Sequence, residues 1–344
     1  DGWLKDRFWP DGMVRVTGRE YNGLLDTACY QNGKMSCLSC HSMHGYLDNN
    51  DQLAPRKETN EACLQCHNDF RDNLSAHTHH TAESTGSLCY NCHMPHTTYG
   101  LLSGIRSHQI DSPSVETHLE TGRPNACNLC HLDQTLEWTG RHLAKWYDHK
   151  QPQFDKDDKL VSSILKMLLK GDAGQRAIAA WHMGWEPARR ASGGDWQARW
   201  LIRRMDDPYA AIRHIAHKAL TAYPPLAGVP FDYTAPLAKR AGQIDAIRRR
   251  LANAAPLGPA QHTEFEPAHL FYGQGVFESF ILGRDQTGHG TTSITIPHHI
   301  RQLLVRCNML GGDGDAPRSR FGCGAFCGWL ECRSEQHPLR CQRR

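Results

Sequence analysis

The sequence predicts a mainly α chain with a haem-cored domain of short helices and loops over 1–150. A HEAT-like α-helical repeat domain follows over 151–255, then an irregular C-terminal extension over 256–344. Three observations predict this. Four Cys-x-x-Cys-His pentads stand in the first 131 residues, at 37–41, 63–67, 89–93 and 127–131. They are too closely spaced for each to carry an ordinary core. From about Asp155, Cys and His thin out, and apolar residues recur at helical spacing.

The pentad is the attachment site of c-type haem. Its two thiols bond to the porphyrin edge, and the imidazole that follows is held against the iron. The thiols are Cys37, Cys40, Cys63, Cys66, Cys89, Cys92, Cys127 and Cys130, and the proximal imidazoles are His41, His67, His93 and His131. With 14 Cys and 22 His, a random chain of this length would hold roughly 0.04 such pentads. A zinc site built from two Cys-x-x-Cys pairs needs no His after each second Cys. A thioredoxin-like pair would sit in an alternating strand and helix pattern, which no motif has here. The cofactor expected is therefore haem c, four per chain. Successive motifs start 26, 26 and 38 residues apart. The porphyrins themselves become the core, and covalent attachment replaces burial that short segments cannot supply.

An iron with one histidine keeps an open face, closed by a second ligand for electron transfer or left free for substrate. Residues 1–149 hold nine further histidines: His44, His77, His79, His80, His96, His108, His118, His142 and His149. Nine imidazoles for four irons favour histidine on both faces. His44 lies three residues after His41. His77, His79 and His80 crowd one short run just before the third motif, and His108 sits in Arg-Ser-His between the third and fourth. His96 follows Met94-Pro95 and reads as a loop residue. Met35, Met43 and Met94 are near the motifs, but the surplus of histidine argues against methionine ligation.

The stretches Cys92–Gly100, Arg106–Ser114 and Gly122–His131 resemble the multihaem c-type cytochromes related to the tetrahaem cytochromes of hydroxylamine oxidation. They are closest to a bacterial subgroup that joins such a haem domain to a helical-repeat tail. The resemblance covers roughly residues 30–225. It implies His79, His80 and His108 as distal ligands, joined by His44 from the first motif, with His77, His96 and His118 in reserve. It also implies haem attachment outside the cytoplasm. Enzymatic cousins often carry a Lys-ended haem motif, and the chain has no Cys-x-x-Cys-Lys.

The net charge of +3 makes no case for nucleic acid or a membrane surface. Four haems would add up to about −8 from their propionates. No run of 18 apolar residues is present, so no transmembrane segment is expected. A chain starting at Asp1, without a leader, reads as already processed. The expected location is periplasmic or extracellular.

In the second half, Leu160, Ile164, Met167 and Leu168 share one helical face, and Gly171 to Gly174 breaks that helix. Further helices are expected at 176–185, 196–205, 209–223 and 235–254, with Asp206-Asp207-Pro208 supplying an N-cap and a first-turn proline. The stretches starting Gly171-Asp172 and Asp206-Asp207 align at a step of about 36 residues, near the period of HEAT-type pairs. Two pairs are too few for a free-standing solenoid, so the tail should pack on the haem domain. Trp181, Trp185, Trp196 and Trp200 read as core. The extension holds Cys307, Cys323, Cys327, Cys332 and Cys341, which with Cys29 permit 15 disulfide pairings.

The function expected is electron relay between extracytoplasmic redox partners, with no catalytic residue. One alternative is a subunit of a polymeric cytochrome filament, its neighbours joined head to tail. Another is a reductase of a small oxyanion with one open iron.

Overall fold

Why the half that carries the pentads lacks long helices is plain from its residues: polar segments separate the motifs, and few apolar side chains are available between them. In the computed structural model, which describes residues 2–254 apart from 47, 49–51 and 194, this half is a string of single helical turns and loops. Its longest helices are Val115–Thr121 and Leu136–Tyr147. The only sheet among the described residues is the hairpin of Thr98–Gly100 and Ser103–Ile105. The chain is mainly α, as expected. The extension over 256–344 and its cysteines lie outside the described residues.

The second half is built of amphipathic helices whose caps are written in the sequence. Ser163–Lys170 is capped by Ser162, whose hydroxyl accepts from Leu165 N–H. Ala173–His182 opens with a capping box: Asp172 accepts from Gln175 N–H, and the Gln175 side chain accepts from Asp172 N–H. Trp196–Arg204, Ala210–Leu220 and Leu237–Ala252 follow. Two expectations need correction. Leu160 ends a separate short helix, Lys156–Leu160, because Val161 is extended and Ser162 restarts the chain. Asp207 is not an N-cap. That position falls to Tyr209, and Asp207 Oδ1 accepts from Tyr209 N–H at 3.0 Å. A helix over Glu186–Ser192, with Pro187 in its first turn, was also missed.

The two stretches that align in sequence become Ala173–His182 and Ala210–Leu220, which pack against each other. Arg176 joins them. Its Nε and Nη2 donate to the two carboxylate oxygens of the fully buried Asp207, at 2.8 and 3.1 Å. Its Nη1 donates to Gly171 O at 2.8 Å, and Arg213 Nη1 donates to Asp207 O at 2.7 Å. Breaking such a bidentate buried pair strands a charge.

The apolar core does not stop at residue 150. Trp9, Met13, Leu129 and Leu132 belong to the same buried cluster as Ile164, Leu168, Ile178, Leu201 and Ile215. Ser162 Oγ donates to Leu132 O at 2.6 Å, and Gln175 Nε2 donates to Gly122 O at 2.8 Å. The hairpin lies on the Ala173–His182 helix, so closely that a Cβ on Gly104 would come within 2.9 Å of the Trp181 ring. The helical half thus packs on the haem half through the fourth motif, the hairpin and the N-terminal segment. Asp207→Ala should lower unfolding stability by about 3–5 kcal/mol, measured by denaturant titration, while the haem absorption spectrum of the folded protein is unchanged.

Candidate haem sites

Each motif coils into one helical turn. The N–H of His41, His67 and His131 donates to the carbonyl of the first Cys of its motif, at 2.9, 3.0 and 2.8 Å. The third motif is itself the helix Cys89–His93. Residues three and four apart share a helix face, so one turn offers both thiols and the imidazole to a single plane. Among the described residues no three Cys, His, Asp or Glu converge as a metal cage would require.

The motifs are tied to one another. Asn60 bridges the second and third: its Nδ2 donates to Ser87 O at 2.8 Å, and its Oδ1 accepts from Cys89 N–H at 2.9 Å. Gln65 of the second donates to Ser39 O of the first at 3.3 Å. Tyr90, buried inside the third motif, donates to Lys57 O. Arg106 caps the third-motif helix by donating to Tyr90 O and Met94 O at 2.9 and 3.1 Å, and to Asn91 Oδ1 at 2.8 Å. Burial lowers its pKa to about 10. None of these polar anchors was picked out in the sequence, where they carry no spacing signal.

Three proximal imidazoles each face a second imidazole. The His41 and His108 ring centres lie 6.2 Å apart with planes 16° from parallel. His93 and His77 lie 6.1 Å apart at 4°, and His131 and His80 lie 6.0 Å apart at 27°. Such gaps are too wide for ring-on-ring contact. A metal–nitrogen bond of about 2 Å plus about 1.1 Å from nitrogen to ring centre, taken on both faces, gives about 6.2 Å. The residues present therefore fit an iron between each pair.

The ring tautomers fit as well. His93 Nδ1 lies 2.9 Å from Asp111 O, and His80 Nδ1 lies 2.6 Å from Thr78 O. A carbonyl only accepts, so Nδ1 carries the proton and Nε2 keeps its lone pair for a metal. Burial pulls the His108 pKa down, and burial followed by the neighbouring His93 does the same for His77. The neutral form is the one that ligates. Two glycines make room: a Cβ on Gly86 would meet the His80 ring at 2.3 Å, and one on Gly23 would meet Gln109 N at 2.8 Å, beside His108.

The structure places the expected distal residues differently from one another. His80 and His108 face proximal rings, and so does His77, held only in reserve. His79 does not: it lies flat on Trp146, 4.2 Å away at 13°. His44 is exposed and meets no proximal ring among the described residues. His67 faces no imidazole; its ring neighbour is Phe70 at 6.4 Å, which in turn lies 4.4 Å from His77. His118 is buried on the Val115–Thr121 helix, and burial, followed by Lys166, lowers its pKa to about 4. His96, three residues after the third motif, is boxed by Trp181, Trp185 and His182 at 4.6, 5.1 and 5.8 Å. One further feature was readable and went unread. Trp138, His142 and Trp146, at i, i+4 and i+8, form a ridge from His131, 5.1 Å from Trp138, to His79.

The family model of the doubled CXXCH motif matches residues 30–72, spanning the first two pentads. The doubled motif indicates a multihaem c-type cytochrome. It brings with it covalently bound haem c, iron and electron transfer. Neither the curated proteins nor the solved structures hold a match to the chain. Among the described residues no helix is long and apolar enough to cross a membrane.

Burial lowers the pKa of His96 to about 2 and of His182 to about 4, from 6.5. Both are neutral in the fold, whereas the unfolded chain takes up their protons below pH 6.5. Their contribution is therefore complete above pH 6.5 and is lost as the pH falls toward 4. Between pH 6.5 and 4.5 the loss should be about 2 kcal/mol per histidine. Urea titrations across that range should show a slope that His96→Gln reduces by about one proton.

Proposed function

We propose that this chain is an electron-transfer protein holding four covalent haems, three of them between two histidines: His41 with His108, His93 with His77, and His131 with His80. The observation that carries the reading is the separation of 6.0–6.2 Å shared by three imidazole pairs, each with one member in a pentad. Each haem supplies a one-electron couple. The rest is done by this chain's residues. Closing both iron faces favours passage of electrons over chemistry on a substrate. The Asp111 and Thr78 carbonyls fix the orientation and basicity of His93 and His80, and so influence potential.

The relay is proposed to work outside the cytoplasm, between redox partner proteins. The helical half, read as HEAT-like pairs, provides a docking surface beside the haem domain. No side chain is assigned a catalytic role in this reading.

A second reading is favoured by His67. Its second face has no histidine opposite it among the described residues, and the expected partner, His44, is exposed on a loop. An iron at this motif would keep one position for a small ligand, which is the requirement of the reductase alternative.

Carbon monoxide uptake by the dithionite-reduced holoprotein tests both readings. One molecule per chain is expected in the wild type and two in His108→Ala. No uptake by the wild type refutes the open position. Equal uptake by the variant and the wild type refutes His108 as a distal ligand.

A further inference from the structure

The run His77-Thr78-His79-His80 places three imidazoles in four residues, and the backbone turns in its middle. The helix Leu74–Thr78 ends at His79, which has φ 58° and ψ 26°. This is the left-handed region, where a side chain other than glycine crowds its own carbonyl. Had the helix continued, His77 and His80 would lie three residues apart on one face and point the same way. The turn separates them. His77, before it, faces His93, and His80, after it, faces His131.

The turn is gripped on both sides. The His79 ring stacks on Trp146, and Tyr147 meets it edge-on at 5.7 Å and 71°. The Tyr147 hydroxyl donates to His77 O. On the other side, Thr78 Oγ1 and Ser87 Oγ lie 2.8 Å apart, Ser87 Oγ donates to His80 O at 3.3 Å, and Gly86 leaves space for the His80 ring. The end of the Leu136–Tyr147 helix therefore braces a backbone conformation that His79 would not adopt freely.

We propose that His79 is a positioning residue and not an iron ligand: its left-handed backbone and its stack on Trp146 hold the turn that directs His77 and His80 to two different irons. This rests on the reading of His77 and His80 as distal ligands. It also makes the third and fourth haems a pair tethered by one four-residue segment, so that a change in the turn is felt at both.

The test is the count of low-spin irons, by electron paramagnetic resonance of the oxidised holoprotein, in H77A, H80A, H79G and H79V. H77A and H80A should each lose one. H79G should lose none, since glycine takes the left-handed conformation freely and does not need the stack on Trp146 to brace it. H79V should lose two at once, because a β-branched residue resists it. A valine variant that fails to mature beside a glycine variant that matures makes the same distinction. Loss of one low-spin iron in H79G would make His79 a ligand and overturn the proposal, as would an H79V spectrum identical to the wild type. Unchanged spectra in H77A and H80A would instead overturn the ligand reading on which it rests.

Discussion

Two near-parallel imidazoles with ring centres about 6 Å apart, one of them in a pentad, are the constraint on which the reading of the haem half depends. At that spacing two imidazoles whose nitrogens point at each other leave room for one metal atom. Three pairs share it, and each member is fixed by something other than its partner. Proximal rings are fixed by the helical turn of the pentad. The rings opposite them are positioned by the left-handed turn at His79, the close approach at Gly86 and the packing at Gly23. Under the proposed reading, these glycines, the left-handed residue and the backbone carbonyls set the spacing that one metal atom requires.

Much of this was legible in the sequence. The pentads carry their chemistry in their spacing, and the helical half announced its helices through apolar periodicity and the break at 171–174, though not its caps, Ser162 and Asp172. What was not legible depended on direction. In His-Thr-His-His the sequence shows three candidates but not which way each points. That is set by a single positive φ, and nothing in the residue type His marks it. The sequence therefore offers no ground for choosing between His77 and His79, whereas in the structure His77 faces His93 and His79 stacks on Trp146. Asn60, Arg106 and Asp111 were invisible for a related reason: they act through hydrogen bonds that involve the main chain and reach residues 12 to 29 positions away, which no motif encodes. The ridge of Trp138, His142 and Trp146 was different, since its spacing alone marks one helix face.

The helical half gives the open-cored haem half something solid to pack on. The cluster that includes Ile178 and Leu201 reaches through Leu129 and Leu132 into the fourth motif, and the hairpin lies against Trp181. His96 and His182 are neutral at this junction. The histidines of this chain thus lie in two different settings. His77, His80 and His108 are half-buried opposite the rings of the pentads, whereas His96 and His182 pack with Trp181 and Trp185 at the junction.

The most direct measurement is an experimental structure of the haem-loaded protein. The account requires the irons of the first, third and fourth motifs to lie midway between His41 and His108, His93 and His77, and His131 and His80, with His79 stacked on Trp146. An iron bound by His79 or by His44 in place of one of these distal residues, or a histidine pair with no iron between its rings, would contradict it.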